Sequence, residues 1–447
     1  MPRQRHHPVK NTALREAIAA AGKPYTHIAK TINAVGAETG QGMYYDPAAI
    51  AHWLSGTIPA SAAVPVIVEA FARLLGRDLA AHDLGWPHNE AAPENPWECD
   101  PMTWVTRLGR DDMLNRRSLL SAGLYSLAAL NLPPALLTTV DRPGQPRQAG
   151  DSDAERIRVM SSQFSAADDL FGGGHARTAV LAYLVHEVGP LLQGTTGQAR
   201  PALFSAASQM TYLAAFMASD AGDSPGLAQN YYIQAARLAQ EAGDPVAKAT
   251  ALRGLAVQAV ELGHPARAVD LAEAAASTLR GGGPLRVRAW MAGMCAEAHA
   301  ANGNPKAALT ALRQAETDVE RADSVPESQW TGAYRRAALE HQTGMTLAHL
   351  ADLPAAQRHL IDSNRARRTV ERRSRALITC RLADLQVRQR HPDEAAATIL
   401  QLRADLPLLT SGRVKTELGR LRASWVPARS NPTVDEADRL IASLSDR

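Results

Sequence analysis

Aromatic side chains make up only 5% of the 447 residues, so no core in this chain can be organised around large rings. Apolar residues still reach 45%, and the cores must therefore be built from Ala, Leu and Val. Cysteine is nearly absent. Cys99, Cys295 and Cys380 stand far apart without Cys-x-x-Cys spacing, which argues against a structural zinc or a disulfide framework and points to a reducing cytoplasm. Charge of one sign is lacking too: charged residues are 21% of the chain and the net charge is +3, so general polyanion binding is excluded and any nucleic-acid contact has to be local. No apolar run is long enough for a comfortable membrane span. The nearest candidate follows Arg116-Arg117 and ends at Leu132, interrupted by Ser121, Gly123 and Ser126. Two arginines before such a run suggest an export signal, but those lie at the N-terminus and this segment starts beyond residue 100. It is predicted to be a helix joining two domains.

What the chain has is a recurring helical phrase. Ala228, Ala268, Ala308, Ala356 and Ala395 are followed four positions later by Tyr232, Ala272, Leu312, Leu360 and Ile399, and seven positions later by Ala235, Ala275, Ala315, Ser363 and Leu402. The intervals are 40, 40, 48 and 39 residues. Positions i, i+4 and i+7 form one stripe of a helix, and a stripe recurring every ~40 residues means stacked helical hairpins. Turn signals precede most copies, among them Gly263-His-Pro265, Gly303-Asn-Pro305 and His391-Pro392. The paired first helices are predicted at 201–219, 247–262, 285–302, 329–350 and 371–390, with 176–192 and 411–425 capping the stack at either end. The copies resemble tetratricopeptide repeats, with long first helices or long links accounting for the extra residues.

Two proline-marked polar stretches, 86–97 and 132–153, divide the chain. They delimit an N-terminal module at 1–87, a connector with one helix at 88–153 and a repeat array at 154–447. Within the module, 12–21 and 25–33 read as two helices with Leu14, Ile18, Ile28, Ala29 and Ile32 inward. A third spans 47–55, capped by Asp46 with Pro47 in its first turn, anchored by Ile50 and Trp53 and ended by Gly56. A fourth spans 64–75.

Ile50-Ala-His-Trp53-Leu-Ser-Gly56, paired with Ile28-Ala29, resembles the recognition helix of the xenobiotic-response-element (XRE) class of helix-turn-helix domains. The resemblance widens along the chain: Ala81-His-Asp-Leu-Gly-Trp86, then Arg116-Arg117-Ser-Leu-Leu, then an Ala-rich array with Ser411-Gly-Arg413 near its end. In this order the motifs are similar to those of actinobacterial XRE-type transcriptional regulators with a C-terminal tetratricopeptide-like array. The implied fold is all-α, an XRE-like helix-turn-helix domain followed by an α-solenoid. The implied partners are double-stranded DNA, a second copy of the chain and an effector, either peptide, small molecule or protein. Two departures stand out. Ile28 and Ile50 are 22 positions apart, about twice the usual separation, so 34–45 reads as a projecting insertion. The outward positions of the recognition helix are Ala48, Ala49, Ala51 and His52, of which only His52 can donate a hydrogen bond to a base edge.

Between Met1 and Gly36 six basic residues, Arg3, Arg5, Lys10, Arg15, Lys23 and Lys30, face one acidic residue, Glu16. Arg3 and Arg5 suit a minor-groove arm or a solvated tail, Thr26 and Lys30 suit phosphate contacts, and Tyr44, Tyr45 and His52 suit discrimination between sequences. No catalytic or metal constellation survives inspection: His186-Glu187 lacks a second histidine, and Gly172-Gly-Gly174 and Gly281-Gly-Gly283 lack the Gly-Lys-Ser/Thr of a phosphate loop. The chain therefore reads as a non-enzyme without cofactor or metal. In the array, Trp290, Met294, Trp330 and Tyr334 occur on two successive first helices and are candidates for an apolar floor, with Arg335, Arg336, Arg372 and Arg373 as a charged rim for an anionic effector. The wider cluster of Arg365, Arg367, Arg368, Arg372, Arg373 and Arg375 has two readings, a solvated link or an anion grip. Two functions remain open: a DNA-binding regulator with a sensing array, and an adaptor that keeps the helix-turn-helix scaffold for protein contacts.

Overall fold

Asn11 accepts a hydrogen bond from Leu14 N (2.9 Å) and so starts the first helix, α1 (Thr12–Ala21). The same side chain donates to Leu84 O (2.8 Å), tying the start of the first unit to its end. Next come α2 (Tyr25–Glu38), α3 (Pro47–Leu54) and α4 (Val64–Leu75). As expected, Asp46 caps α3 by accepting from Ala49 N at 3.0 Å, with Pro47 in the first turn. Leu14, Ile28, Ile32, Ile50, Ile67 and Phe71 form a shared core with Trp53 and Trp86, and Leu84 and Trp86 of the trailing phrase seal it. In this computed structural model, residues 10–38, 42–86, 96–114, 151–195, 197–222, 225–279, 282–323 and 334–445 are described, and the regular structure among them is helical. Arg3, Arg5, Trp330 and the segment 116–132 lie outside the described residues.

The insertion after Asn33 differs from the projecting loop expected. α2 continues to Glu38, where both carboxylate oxygens meet Arg73 of α4 (2.6 and 2.8 Å), and Arg73 Nε also binds Glu69 (2.9 Å). Burial works against the Arg73 charge, but the two carboxylates outweigh it and hold its pKa above the usual value. The chain then returns along α2. Asn33 brackets the Tyr45 backbone, donating to its carbonyl and accepting from its N–H, both at 2.8 Å.

The stretch 96–114 is a correction to the predicted connector. It contains α5 (Pro101–Leu114), and it buries Trp97, Trp104, Val105 and Leu108 in the core of the array. Asp112 receives Arg177 through both oxygens (2.6 Å each) and the Tyr231 hydroxyl (3.2 Å), while Gln234 and Arg237 donate to Pro96 O. After α6 (Asp151–Phe171), α7 (Gly173–Tyr183) and α8 (Gly189–Gly194), five hairpins follow. They pair α9 (Ala199–Ala221) with α10 (Pro225–Ala242), α11 (Pro245–Glu261) with α12 (Pro265–Ser277), and α13 (Leu285–Ala301) with α14 (Pro305–Arg321). The last two pair α15 (Arg336–His349) with α16 (Leu353–Ala366) and α17 (Arg372–Arg388) with α18 (Pro392–Leu400). The five phrase-opening alanines on α10, α12, α14, α16 and α18 have no exposed surface, which lets each second helix approach its partner closely.

The turns inside four hairpins share one geometry: a residue with positive φ, a capping position, then a proline in the first turn. Gly263 and Gly303 fill the left-handed position in two of them, but Ala351 (φ 63°) and Arg390 (φ 68°) fill it in the others. Two helices complete the chain, α19 (Gly412–Ser424) and α20 (Pro432–Ser445).

The two ends of the array meet, so 176–192 and 411–425 are not caps at opposite ends. α6 packs on α17 and α9 on α19. At the seam Thr410 N donates to Phe171 O (2.6 Å), Gly174 N to Thr410 O (3.0 Å), and Ser411 Oγ to buried Asp220 (2.9 Å), whose other oxygen accepts from Gly173 N (2.9 Å). Arg413 reaches Glu261 on α11. The Gly172–Gly174 run and Ser411-Gly-Arg413 thus serve one purpose, which is to close the array on itself.

Candidate functional site

Two regions carry uncommitted chemistry. The first is the surface of the N-terminal unit. Its acidic side chains are largely used internally: Glu38 and Glu69 hold Arg73, Asp46 caps α3, Asp83 accepts from Ala80 N, and Asp78 pairs with Arg267 on α12 at 3.5 Å. Lys10, Arg15, Lys23, Lys30 and Arg77 are exposed, and so are the acids Glu16, Asp46 and Asp83. Lys10 N and Asn11 N both donate to Leu54 O, which places Lys10 beside the C-terminal end of α3.

Thr26 and Lys30 are exposed on α2, and Ala48 and His52 are exposed on α3. Ala49 is half-buried against the core and offers little to a ligand. Tyr44 and Tyr45 separate: Tyr44 is 92% exposed, whereas Tyr45 packs edge-on against Trp53 with ring centroids 5.1 Å apart. Tyr45 therefore holds α3 in place and is not a free contact residue.

The second region lies where the first helices of the hairpins face one another across the closed array. Two cavities open here. One of about 430 Å³ lies between the ends of α9, α11, α15, α17 and α19, lined by Glu261, Glu297, Arg381 and Arg413. The other, of about 270 Å³, has aromatic walls, Tyr212, Phe216, Trp290 and Tyr334, and carries Asp168, Asp169, Arg367 and Arg373. His341 on α15 meets Arg381 of the first cavity. Arg381 Nη1 is 2.7 Å from its Nε2, and since a guanidinium only donates, that ring nitrogen accepts and the imidazole is neutral. Burial, together with Arg381, Arg367, Arg413 and Arg253, pushes the His341 pKa well below its ordinary value.

Most of these arginines have carboxylates. Arg373 binds Asp168 (3.1 Å) and Asp169 (3.3 Å) and lies 4.7 Å over the Phe216 ring, and Arg381 and Arg413 share Glu261. Arg253 differs. It stacks 4.3 Å over Trp290, makes a 3.3 Å hydrogen bond with Gln342, leaves Nε without an acceptor, and has no carboxylate in salt-bridge range among the described residues. Burial lowers its pKa.

The floor and rim expected on the array are only partly brought together. Trp290 and Tyr334 line the aromatic cavity, with Gly293 leaving room for the Tyr334 hydroxyl. Met294 is fully buried in the core. Arg335 is exposed, and Arg336 turns outward to Glu340 and Glu316. Arg372 binds Asp405 (2.8 Å) and Leu170 O (3.2 Å), and Arg373 is committed to its aspartates. Both fasten α17 to neighbouring elements instead of forming an open rim. Of the wider cluster, Arg365 and Arg368 are exposed, while Arg367 faces the cavity with Nε unpaired. Arg253 and His341 were not anticipated.

Among the described residues no group of three or more His, Cys, Asp or Glu is placed to hold a metal ion, and no helix is long and apolar enough to cross a membrane. Residues 14–87 match the family described as SP15 N-terminal domain, a stretch that covers most of α1 and extends past the turn sealing its core. No curated protein matches the chain.

Proposed function

We propose that this chain is a DNA-binding transcriptional regulator in which the N-terminal unit contacts the duplex and the closed array senses an effector. The observation that carries the reading is the placement of exposed cations on that unit: Lys10, Arg15, Lys23 and Lys30 lie exposed on or beside α1 and α2, where Glu16 is the exposed acid. Such cations suit phosphate contacts, which supply affinity without sequence information. Readout would fall to His52 and Tyr44 on and before α3, with thymine-methyl contacts from Ala48. The XRE resemblance of Ile50 to Gly56 supports this assignment of α3. α11 is shared by both regions: it carries Glu261 of the first cavity and Arg253, which stacks on Trp290 of the aromatic cavity, and the turn and α12 that follow bring His264 and Arg267 beside Arg73 and Asp78 of the N-terminal unit. A ligand that shifts α11 has a direct mechanical route to the DNA-binding unit.

The exposure of Tyr44 and of Ile58 (57%) near the alanine face of α3 favours a second reading, an adaptor that docks a protein there. A salt titration of binding to mixed-sequence duplex separates the two. The regulator reading requires log K to fall by about 0.9 per phosphate contact for each tenfold rise in salt, and Lys30→Ala to reduce the slope by about one unit. No duplex binding at low salt, or an unchanged slope in the variant, contradicts it.

A further inference from the structure

The cavity of about 430 Å³ is lined by charge of opposite sign on different helices. From α11 and α13 come Glu261 and Glu297, and from α17 and α19 come Arg381, Arg388, Arg413 and Arg420. Two of those arginines are neutralised on their own helices, Arg388 by Asp384 (3.7 Å) and Arg420 by Glu417 (3.1 Å). The other two, Arg381 and Arg413, share one carboxylate, Glu261. Glu297 accepts from Gln342 and has no cation in salt-bridge range among the described residues, although Arg253 feels its charge from beyond that range. These groups keep accessible surface: 15% of the Arg381 side chain, 16% of Arg413 and 29% of Glu261, with Glu297 half-buried. Val260, Leu262 and Met345, also half-buried, add an apolar patch. A net anion here would gain two guanidinium groups but face two carboxylates, and a net cation would meet the reverse. A molecule with both charges close together can meet each with its opposite.

We propose that this cavity binds a free α-amino acid with an apolar side chain. Its carboxylate is received by Arg381 and Arg413, its ammonium by Glu297, and its side chain by Val260, Leu262 and Met345. Sharing one carboxylate leaves both guanidinium groups with N–H donors to spare, and a second carboxylate matches their fork. The ammonium gives Glu297 the cation it lacks, at a partly enclosed site where a charge pair is screened less than on the open surface. A volume of about 430 Å³ lies in the range of small-molecule sites. The incoming carboxylate competes with Glu261 for both arginines, and Glu261 stands on α11, the helix that leads to the N-terminal unit. The inference rests on the sensing role given to the array in the regulator reading, and it names the ligand class for that role.

The test titrates the full-length protein, without DNA, with L-leucine, L-methionine and L-phenylalanine by calorimetry, alongside two analogues of each that keep a single charge, the N-acetyl acid and the primary amide. One amino acid or more binds with one site per chain, and both of its analogues are weaker by about tenfold or more, the loss of one charge-assisted contact. Glu297→Gln, which keeps an acceptor for Gln342, weakens the amino acid by a similar factor but leaves the N-acetyl acid as it was or tighter, because a repelling carboxylate is gone. A variant that had merely lost its fold would lose both ligands. Arg381→Gln weakens the amino acid and the N-acetyl acid alike, whereas Arg403→Gln, in an exposed pair with Glu436, changes neither. The proposal is overturned if none of the three amino acids binds at millimolar concentration, if either single-charge analogue binds as tightly as its parent, or if Glu297→Gln leaves the affinity for the amino acid untouched. Failure here removes the ligand and leaves duplex binding standing, whereas an amino acid that binds without changing duplex affinity removes the regulatory coupling and leaves the site standing.

Discussion

Replacing Gly412 by alanine probes the closure of the array through a sign as well as a size. Gly412 opens α19, and helix propensity alone makes glycine-to-alanine favourable there by up to about 1 kcal/mol. At the seam, however, a Cβ on residue 412 would lie 1.9 Å from Ala221 O and 2.6 Å from Ala221 C, both main-chain atoms that no rotamer change can move aside. The seam must then part. Parting forfeits the bonds of Thr410 N to Phe171 O, Gly174 N to Thr410 O and Ser411 to Asp220, at about 1 kcal/mol each. The propensity gain offsets a third of that loss, leaving a net destabilisation of about 2 kcal/mol. Hydrogen exchange reads it locally: the Gly174 and Thr410 amides of Gly412→Ala should exchange about 30-fold faster, as 1.4 kcal/mol corresponds to a factor of ten, while amides in the α13–α14 hairpin keep their protection. Unchanged exchange at Gly174 and Thr410, or a stabilised variant, would refute the closed array.

Two further outcomes follow from local geometry and charge. Ala351→Gly and Arg390→Gly relieve left-handed backbone at φ 63° and 68° and should each raise stability by about 1 kcal/mol, whereas Gly263→Ala and Gly303→Ala, whose added Cβ would meet nothing within 4 Å, should lose about as much; chemical denaturation midpoints in the opposite order would disprove the shared turn geometry. Burial and the neighbouring Arg73 push the His264 pKa down to about 4, so the folded state binds fewer protons than the unfolded chain between there and the ordinary value of 6.5, and stability present above that value is lost as pH falls through the interval. The full shift corresponds to at most about 3 kcal/mol, reduced to about 1 kcal/mol by solvent screening at this half-buried site. His264→Gln should flatten the profile without abolishing it, since His341 acts in the same direction, and a profile identical to the wild type would exclude His264 as a source of the acid sensitivity.

The hairpins could be read from the sequence because their cause is local. Ala268 or Ala308 must be small for one helix to lie against another, and the stripe they begin repeats within each copy, so first helices at 247–262 and 285–302 were placed within a few residues of α11 and α13. Ala351 and Arg390 escaped because neither is the glycine that usually marks a left-handed turn; the following Asp352 cap and Pro354, or His391 and Pro392, were the remaining signal. α5 was hidden by the prolines before it, although Trp97 and Trp104 were a clue: in a chain with seven tryptophans, two are unlikely to be spent on a linker. The chamber could not be read at all. Whether Arg373 grips a ligand or an aspartate depends on Asp168, some two hundred positions earlier, and the lone position of Arg253 emerges only when every nearby carboxylate has been assigned elsewhere. Ser411-Gly-Arg413 was visible as a motif, but its partners Asp220 and Glu261 were not.

The most direct test of the regulator reading is to let the purified full-length protein select duplexes from a random-sequence pool and to sequence what it retains. The account predicts a recurring site bound more tightly than the starting pool, with His52→Ala altering the enriched bases and Lys30→Ala weakening all duplexes alike; a two-fold symmetric site would add that two chains bind together, at a half-site spacing the sequence itself reports. Retained duplexes indistinguishable from the starting pool, bound no better than random DNA at any salt concentration, would contradict it.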